Sequence, residues 1–109
     1  MSTMSKKISC LVKRPGEPPR HVNISDSLEN LQKTVGGYIE TVTLMKDLVL
    51  ICDEEGLLKN TKFNVKLLGM QLFGPIIICG TAGEEFADLP VSWAKLKELL
   101  PELWKEDTK

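Results

Sequence analysis

The stretch from Leu28 to Val42, Leu-Glu-Asn-Leu-Gln-Lys-Thr-Val-Gly-Gly-Tyr-Ile-Glu-Thr-Val, reads as an amphipathic helix, a glycine stop and a strand. Leu28, Leu31 and Val35 recur at i, i+3 and i+7, which gives one apolar stripe. Just upstream, Ser25 or Asp26 can accept hydrogen bonds from the free amides of a first helical turn, and Asp26 with Glu29 has capping-box spacing. Gly36 stands where a left-handed helix end is wanted, and Gly37 frees the turn that follows. Tyr38 to Leu44 is rich in β-branched and aromatic residues, as a half-buried strand should be.

Working outward, Ile8 to Lys13 is mostly apolar and predicts a strand covered on both faces. Arg14 to Arg20 holds three prolines and cannot pair continuously, so it predicts a hairpin loop into His21-Val22-Asn23-Ile24. There His21 and Asn23 should face out and Val22 and Ile24 in. Downstream, Met45-Lys46-Asp47 turns the chain into Leu48 to Cys52, an apolar run that belongs inside a sheet. Asp53-Glu54-Glu55-Gly56 predicts a solvated turn, since it lacks the alternating ligands and distant glutamate of a calcium loop. Leu57 and Leu58 should tuck back onto the core. Asn60 to Gly69 suits one or two helical turns, with Thr61 or Asn64 as the cap. Ile76 to Gly80, after Gly74-Pro75, predicts another interior strand. Thr81 to Asp88 predicts a loop, or a loose hairpin around Gly83-Glu84-Glu85. Ser92 then caps a last helix with an apolar face of Leu96, Leu99, Leu100 and Leu103, broken or restarted at Pro101. The fold expected is α+β, a mostly antiparallel sheet of about five strands with two main helices packed on it. The domain should run over 8–105, with a flexible 1–7 and a frayed 106–109.

With 109 residues the chain has the size of one domain, and a formal charge of -1 argues against holding nucleic acid by bulk charge. The charge is uneven: Lys6, Lys7, Lys13, Arg14 and Arg20 precede His21 against Glu17 alone. This predicts a basic edge strand, or an anion-facing surface. Cys10, Cys52 and Cys79 each lie inside an apolar run without metal-ligand spacing, so buried reduced thiols are expected. No signal-peptide core follows the first residues and no apolar run reaches membrane length, so a cytoplasmic protein is expected.

Val35-Gly36-Gly37-Tyr38-Ile39-Glu40 resembles the core motif of a family of small proteins labelled a domain of unknown function. Members occur in bacteriophages, plasmids and their bacterial hosts. The resemblance extends over Leu11-Val12-Lys13, the Pro15 to Pro19 loop, Leu31-Gln32-Lys33, the Asp53 to Lys59 turn, Asn64 and the Ile76 to Gly80 strand. At Thr61-Lys62-Phe63 the chain departs from the family, which carries a proline before the asparagine. The resemblance implies a mobile-element origin and no particular reaction.

No arrangement of residues announces catalysis. His21 is the single histidine, lies beside Arg20 in an expected edge strand and has no partner acid close in sequence, so a surface histidine is expected. Gly36-Gly37 ends a helix, where the dipole is negative, and is badly placed to cradle phosphate. Arg14, Arg20 and His21, with Lys13 beside them, form the better anion surface, to which Tyr38 could add a stacking face and Asn64 an amide. That set would suit a nucleotide. Trp93 and Trp104 would anchor the last helix or, if exposed, form a protein interface. The expectation is therefore a non-enzymatic mobile-element accessory protein without cofactor or metal, acting in the host cytoplasm by binding. Its target would be a host antiviral defence protein, as analogy with such genomes suggests. The alternatives are a sponge that sequesters a nucleotide immune signal, in which a homo-oligomer could encircle the ligand, and a small enzyme of unknown reaction.

Overall fold

The computed structural model describes residues 6–56, 59 and 61–105. The strands β1 (Lys7–Lys13) and β2 (Arg20–Ser25) are followed by α1 (Leu28–Val35), then β3 (Ile39–Met45) and β4 (Leu48–Asp53). Next come β5 (Phe63–Leu67), β6 (Met70–Phe73), β7 (Ile76–Ala82) and β8 (Glu85–Ala87). The helix α2 (Trp93–Leu99) and a 3₁₀ helix (Pro101–Trp104) close the order. A six-stranded antiparallel sheet runs β2-β1-β7-β4-β3, with β8 folded beside β7, and β5-β6 forms a separate hairpin. The α+β fold with helices on a mostly antiparallel sheet is the one the pattern predicts.

The apolar runs of β1, β4 and β7 have a simple cause: both of their faces are covered. One face turns Ile8, Cys10, Val12, Val49, Ile51, Ile77 and Cys79 toward Leu31 and Val35 of α1. The other turns Leu11, Leu48, Leu50, Ile76 and Ile78 toward the β5-β6 hairpin and toward Leu96, Leu100 and Leu103. Side chains alternate along a strand, so a strand with two covered faces is apolar on both sides through its interior, apart from polar groups such as Ser9 and Lys13 that find partners.

The α1 stop is as predicted. Gly36 adopts φ 92°, and the amides of Gly36 and Gly37 both donate to the Gln32 carbonyl. The helix start differs. Ser27, not Ser25 or Asp26, is the cap and accepts from the Asn30 amide at 3.2 Å. Asp26 is occupied elsewhere, accepting from the Lys6 amide at 3.2 Å. Leu28 is 57 % exposed, so the buried stripe is Leu31 and Val35 alone.

The largest departure lies in the stretch expected to form helical turns from Asn60 to Gly69: Asn60 lies outside the described residues, and from Phe63 the β5-β6 hairpin stands instead. Leu68 (φ 49°) and Gly69 (φ 84°) take the two left-handed positions of a tight hairpin turn. Asn64, with 4 % exposure, fastens this hairpin to the sheet. Its Oδ1 accepts from Lys13 Nζ at 2.9 Å, while Nδ2 donates to the Lys13 carbonyl at 2.9 Å and the Gly74 carbonyl at 2.7 Å. Both amide hydrogens and one lone pair of Oδ1 are thereby used.

The Thr81 to Asp88 region is the hairpin alternative, turning at Gly83 into β8. Ser92 caps α2 by accepting from the Lys95 amide at 3.1 Å, and Pro101 restarts the chain as the 3₁₀ helix. Lys7 belongs to β1, so structure begins before Ile8. The expectations for residues 1–5, Leu57, Leu58 and 106–109 lie outside the described residues. Among the described residues no helix is long and apolar enough to cross a membrane.

All three cysteines are buried and free. Burial, reinforced by Glu40 and Asp53, pushes the Cys52 thiol up from 9.0 to about 11. The unfolded thiol ionises near its ordinary value while the folded one keeps its proton, so stability falls as pH rises through this window. Urea titrations across it should show a shallower fall for Cys52→Ala. Asn64→Leu removes an acceptor from the Lys13 ammonium and a donor from the Lys13 and Gly74 carbonyls, and stability should drop by about 3 kcal/mol. Chemical denaturation at neutral pH measures that loss.

Candidate functional site

Exposed His21 and half-buried Trp93 and Trp104 form one ladder on the α2 side of the sheet. The His21 and Trp93 rings meet edge to face at 5.7 Å between centroids, and Trp93 and Trp104 meet likewise at 5.5 Å. Lys97 Nζ stands 5.8 Å from the centre of the Trp104 ring. Residue alternation in β2 explains how His21 reaches this side. Val22 and Ile24 pack toward α1, so His21 and Asn23 lie on the other face of the sheet, exposed as the alternation predicts, and His21 meets Trp93 there.

The segment before α2 forms a strap held by Ser9. The Ser9 amide donates to Asp88 Oδ1 at 2.8 Å, and the Leu89 amide donates to the Ser9 carbonyl at 2.9 Å. Gly80 permits this crossing, because a Cβ there would collide with the Asp88 carbonyl and press on Pro90 at 3.2 Å. Between the strap and β2 lies a cleft of about 450 Å³, lined by Ser9, His21, Leu89, Val91, Ser92 and Trp93. Ser9 Oγ and His21 Nε2 are 2.5 Å apart in its wall. A serine beside an imidazole resembles half of a nucleophile–base pair, but among the described residues no carboxylate bonds the other ring nitrogen.

The residues expected to bind a ligand do not converge. Arg14 is exposed in the loop after β1, and Arg20 begins β2 on the α1 face, opposite His21. Tyr38 precedes β3 at the far edge of the sheet, four strand spacings or about 19 Å from β2. Its ring is 69 % exposed. Asn64 is a buried structural node whose amide is already engaged. Lys13 is buried too, with its ammonium on Asn64. Trp93 and Trp104 do come together, and they bring His21 with them. Ser9 was missed, since a lone serine inside an apolar strand carries no local signal.

A second, larger groove of about 810 Å³ runs past Trp104, between Phe63, Lys66, Glu102 and Lys105, with Lys13 and Asn64 at its wall. Phe63 is exposed at its rim and packs edge to face on Phe73 at 5.6 Å.

The motif stretches meet at a different place, the end of α1. Asp53 is not solvated as the turn reading predicts. It is buried, pairs with Lys59 at 3.0 Å and accepts from the Glu55 amide at 2.9 Å. Lys59 Nζ also donates to the Gly36 carbonyl at 3.1 Å, placing a cation on the negative end of α1. A Cβ on Gly37 would lie 2.5 Å from Lys59 Nζ and 2.7 Å from Asp53 Oδ1. The double glycine and the acidic turn are therefore two halves of one structural knot.

Residues 8–100 match the family described as Domain of unknown function (DUF3846), and the chain belongs to that family. No curated protein and no solved structure matches the chain.

If the knot is structural, Gly37→Ala should lower stability by about 2 kcal/mol through crowding of Asp53 and Lys59. Tyr38→Ala, beside it but exposed, should stay within about 0.5 kcal/mol of the parent. Thermal melts of the two variants make the comparison.

Proposed function

We propose that this DUF3846 member works by binding rather than catalysis, and that the His21–Trp93–Trp104 face is where a partner protein docks. The observation that supports the reading is the aromatic ladder, its two tryptophans half-buried and its histidine exposed beside a cleft. Tryptophan and tyrosine anchors of this kind dominate interface energetics because they bury much area with little conformational freedom to lose. The ladder is held from behind by α2 and the Ser9 strap, so little ordering remains for binding to pay.

The finer reading is an inhibitor of a host antiviral defence protein, made by a bacteriophage or other mobile element and acting in the bacterial cytoplasm. It draws on the resemblance to mobile-element proteins and on analogy with what their small binding proteins do. A second reading, capture of a nucleotide signal, finds its support in the larger groove. Phe63 and Trp104 offer rings, and Lys66 and Lys105 offer charge for phosphate.

Native mass spectrometry of tagged protein drawn from defence-carrying bacterial cells separates the readings. The docking reading predicts a stoichiometric protein complex that disappears in Trp93→Ala and Trp104→Ala while circular dichroism stays unchanged. An adduct of nucleotide mass, lost in Phe63→Ala but kept in Trp93→Ala, would replace it with the sponge. A complex that survives both tryptophan replacements would refute the assigned face.

A further inference from the structure

The two edges of the main sheet are unlike. β3 carries a register shift between Thr43 and Met45, and such a bulge spoils an edge for further pairing. β2 pairs with β1 without interruption from Arg20 to Ser25 and contains no proline.

The outward groups of β2 follow from its bonds. The Asp26 amide donates to the Lys6 carbonyl at 2.9 Å, which sets the phase of the ladder. Ser9, opposite Asn23, accordingly turns its own amide and carbonyl away from β2 toward Asp88 and Leu89. In an antiparallel pair this leaves the backbone N–H and C=O of His21 and Asn23 pointing off the sheet. Among the described residues no strand meets them. The side chains add a pattern. Val22 and Ile24 lie half-buried on the α1 face, with Arg20 at one end of the strand and Asp26 just past the other. Among the described residues neither Arg20 nor Asp26 has an ion-pair partner.

We propose that two copies of the chain join antiparallel through β2, in a register centred on Asn23, to make one continuous sheet. Asn23 then exchanges N–H···O bonds with Asn23 of the partner subunit. Val22 packs beside Ile24 of the partner subunit, and Arg20 meets Asp26 of the partner subunit, each contact occurring twice by symmetry. A slip of one residue turns the apolar pair to the wrong face. A slip of two places Arg20 opposite Ile24 or Leu28 of the partner subunit and separates the charges. The charge pattern thus selects one register and one partner, a second copy. The twofold axis stands perpendicular to the sheet, so both α2 layers lie on the same side and the two His21 clefts flank the seam. This inference stands independently of the docking reading above.

Sedimentation equilibrium on the full chain tests it. The expected result is a species of twice 12.2 kDa whose share grows with concentration. Arg20→Glu should weaken it by about tenfold or more, and adding Asp26→Arg to that variant should restore it. Asn23→Pro removes an outward amide without costing a bond to β1 and should abolish the dimer, with circular dichroism confirming the fold. A parent chain that stays monomeric up to about 1 mM would overturn the proposal. So would a dimer indifferent to both Arg20→Glu and Asn23→Pro.

Discussion

The requirement that β1, β7 and β4 be covered on both faces governs this structure. Three neighbouring strands whose buried side chains are mostly apolar on both sides cannot leave either face to water. One face needs only the short α1, because Leu31 and Val35 meet a compact group of strand residues. The other face is wider, and no single element covers it. The β5-β6 hairpin, α2 and the 3₁₀ helix share it. The Asn64 node ties the hairpin to β1 by way of Lys13, and the Ser9 strap ties the approach to α2 to the same strand. β1 therefore anchors both parts of the second layer, and the aromatic ladder is a by-product of how that layer ends.

The sequence was most legible where local chemistry and global burial agreed. Gly36 after Val35, Ser92 before a leucine-spaced run and the isoleucines of β7 each have one good structural reading, and the molecule adopts it. The β5-β6 hairpin was hidden for a physical reason. Its alternation is interrupted by Asn64, a polar residue at a buried position, and by a register shift between Phe63 and Val65. A buried asparagine makes sense only when its partners are known, and these partners, Lys13 and Gly74, lie far away in sequence or across the hairpin. Asp53 was misread in the same way. A carboxylate in an acidic turn looks solvated until Lys59 and the α1 terminus are placed around it.

The candidate site illustrates a second kind of illegibility. Arg20 and His21 are neighbours in sequence and look like one basic surface, yet a strand sends them to opposite faces. Trp93 and His21 are far apart in sequence and meet in space. What survives as a candidate surface owes more to topology than to any motif. The motif residues themselves, Gly36, Gly37, Asp53, Lys59 and Asn64, turn out to hold the fold together.

The aromatic face is a preformed surface only if the second layer is a fixed part of the fold. Amide hydrogen exchange resolved by segment tests this most directly. The expected result is that β5, β6 and the α2 backbone exchange nearly as slowly as β4 and β7. A hairpin and α2 that exchange quickly over a protected sheet would contradict it, because the ladder would then lack the rigid support on which its role depends.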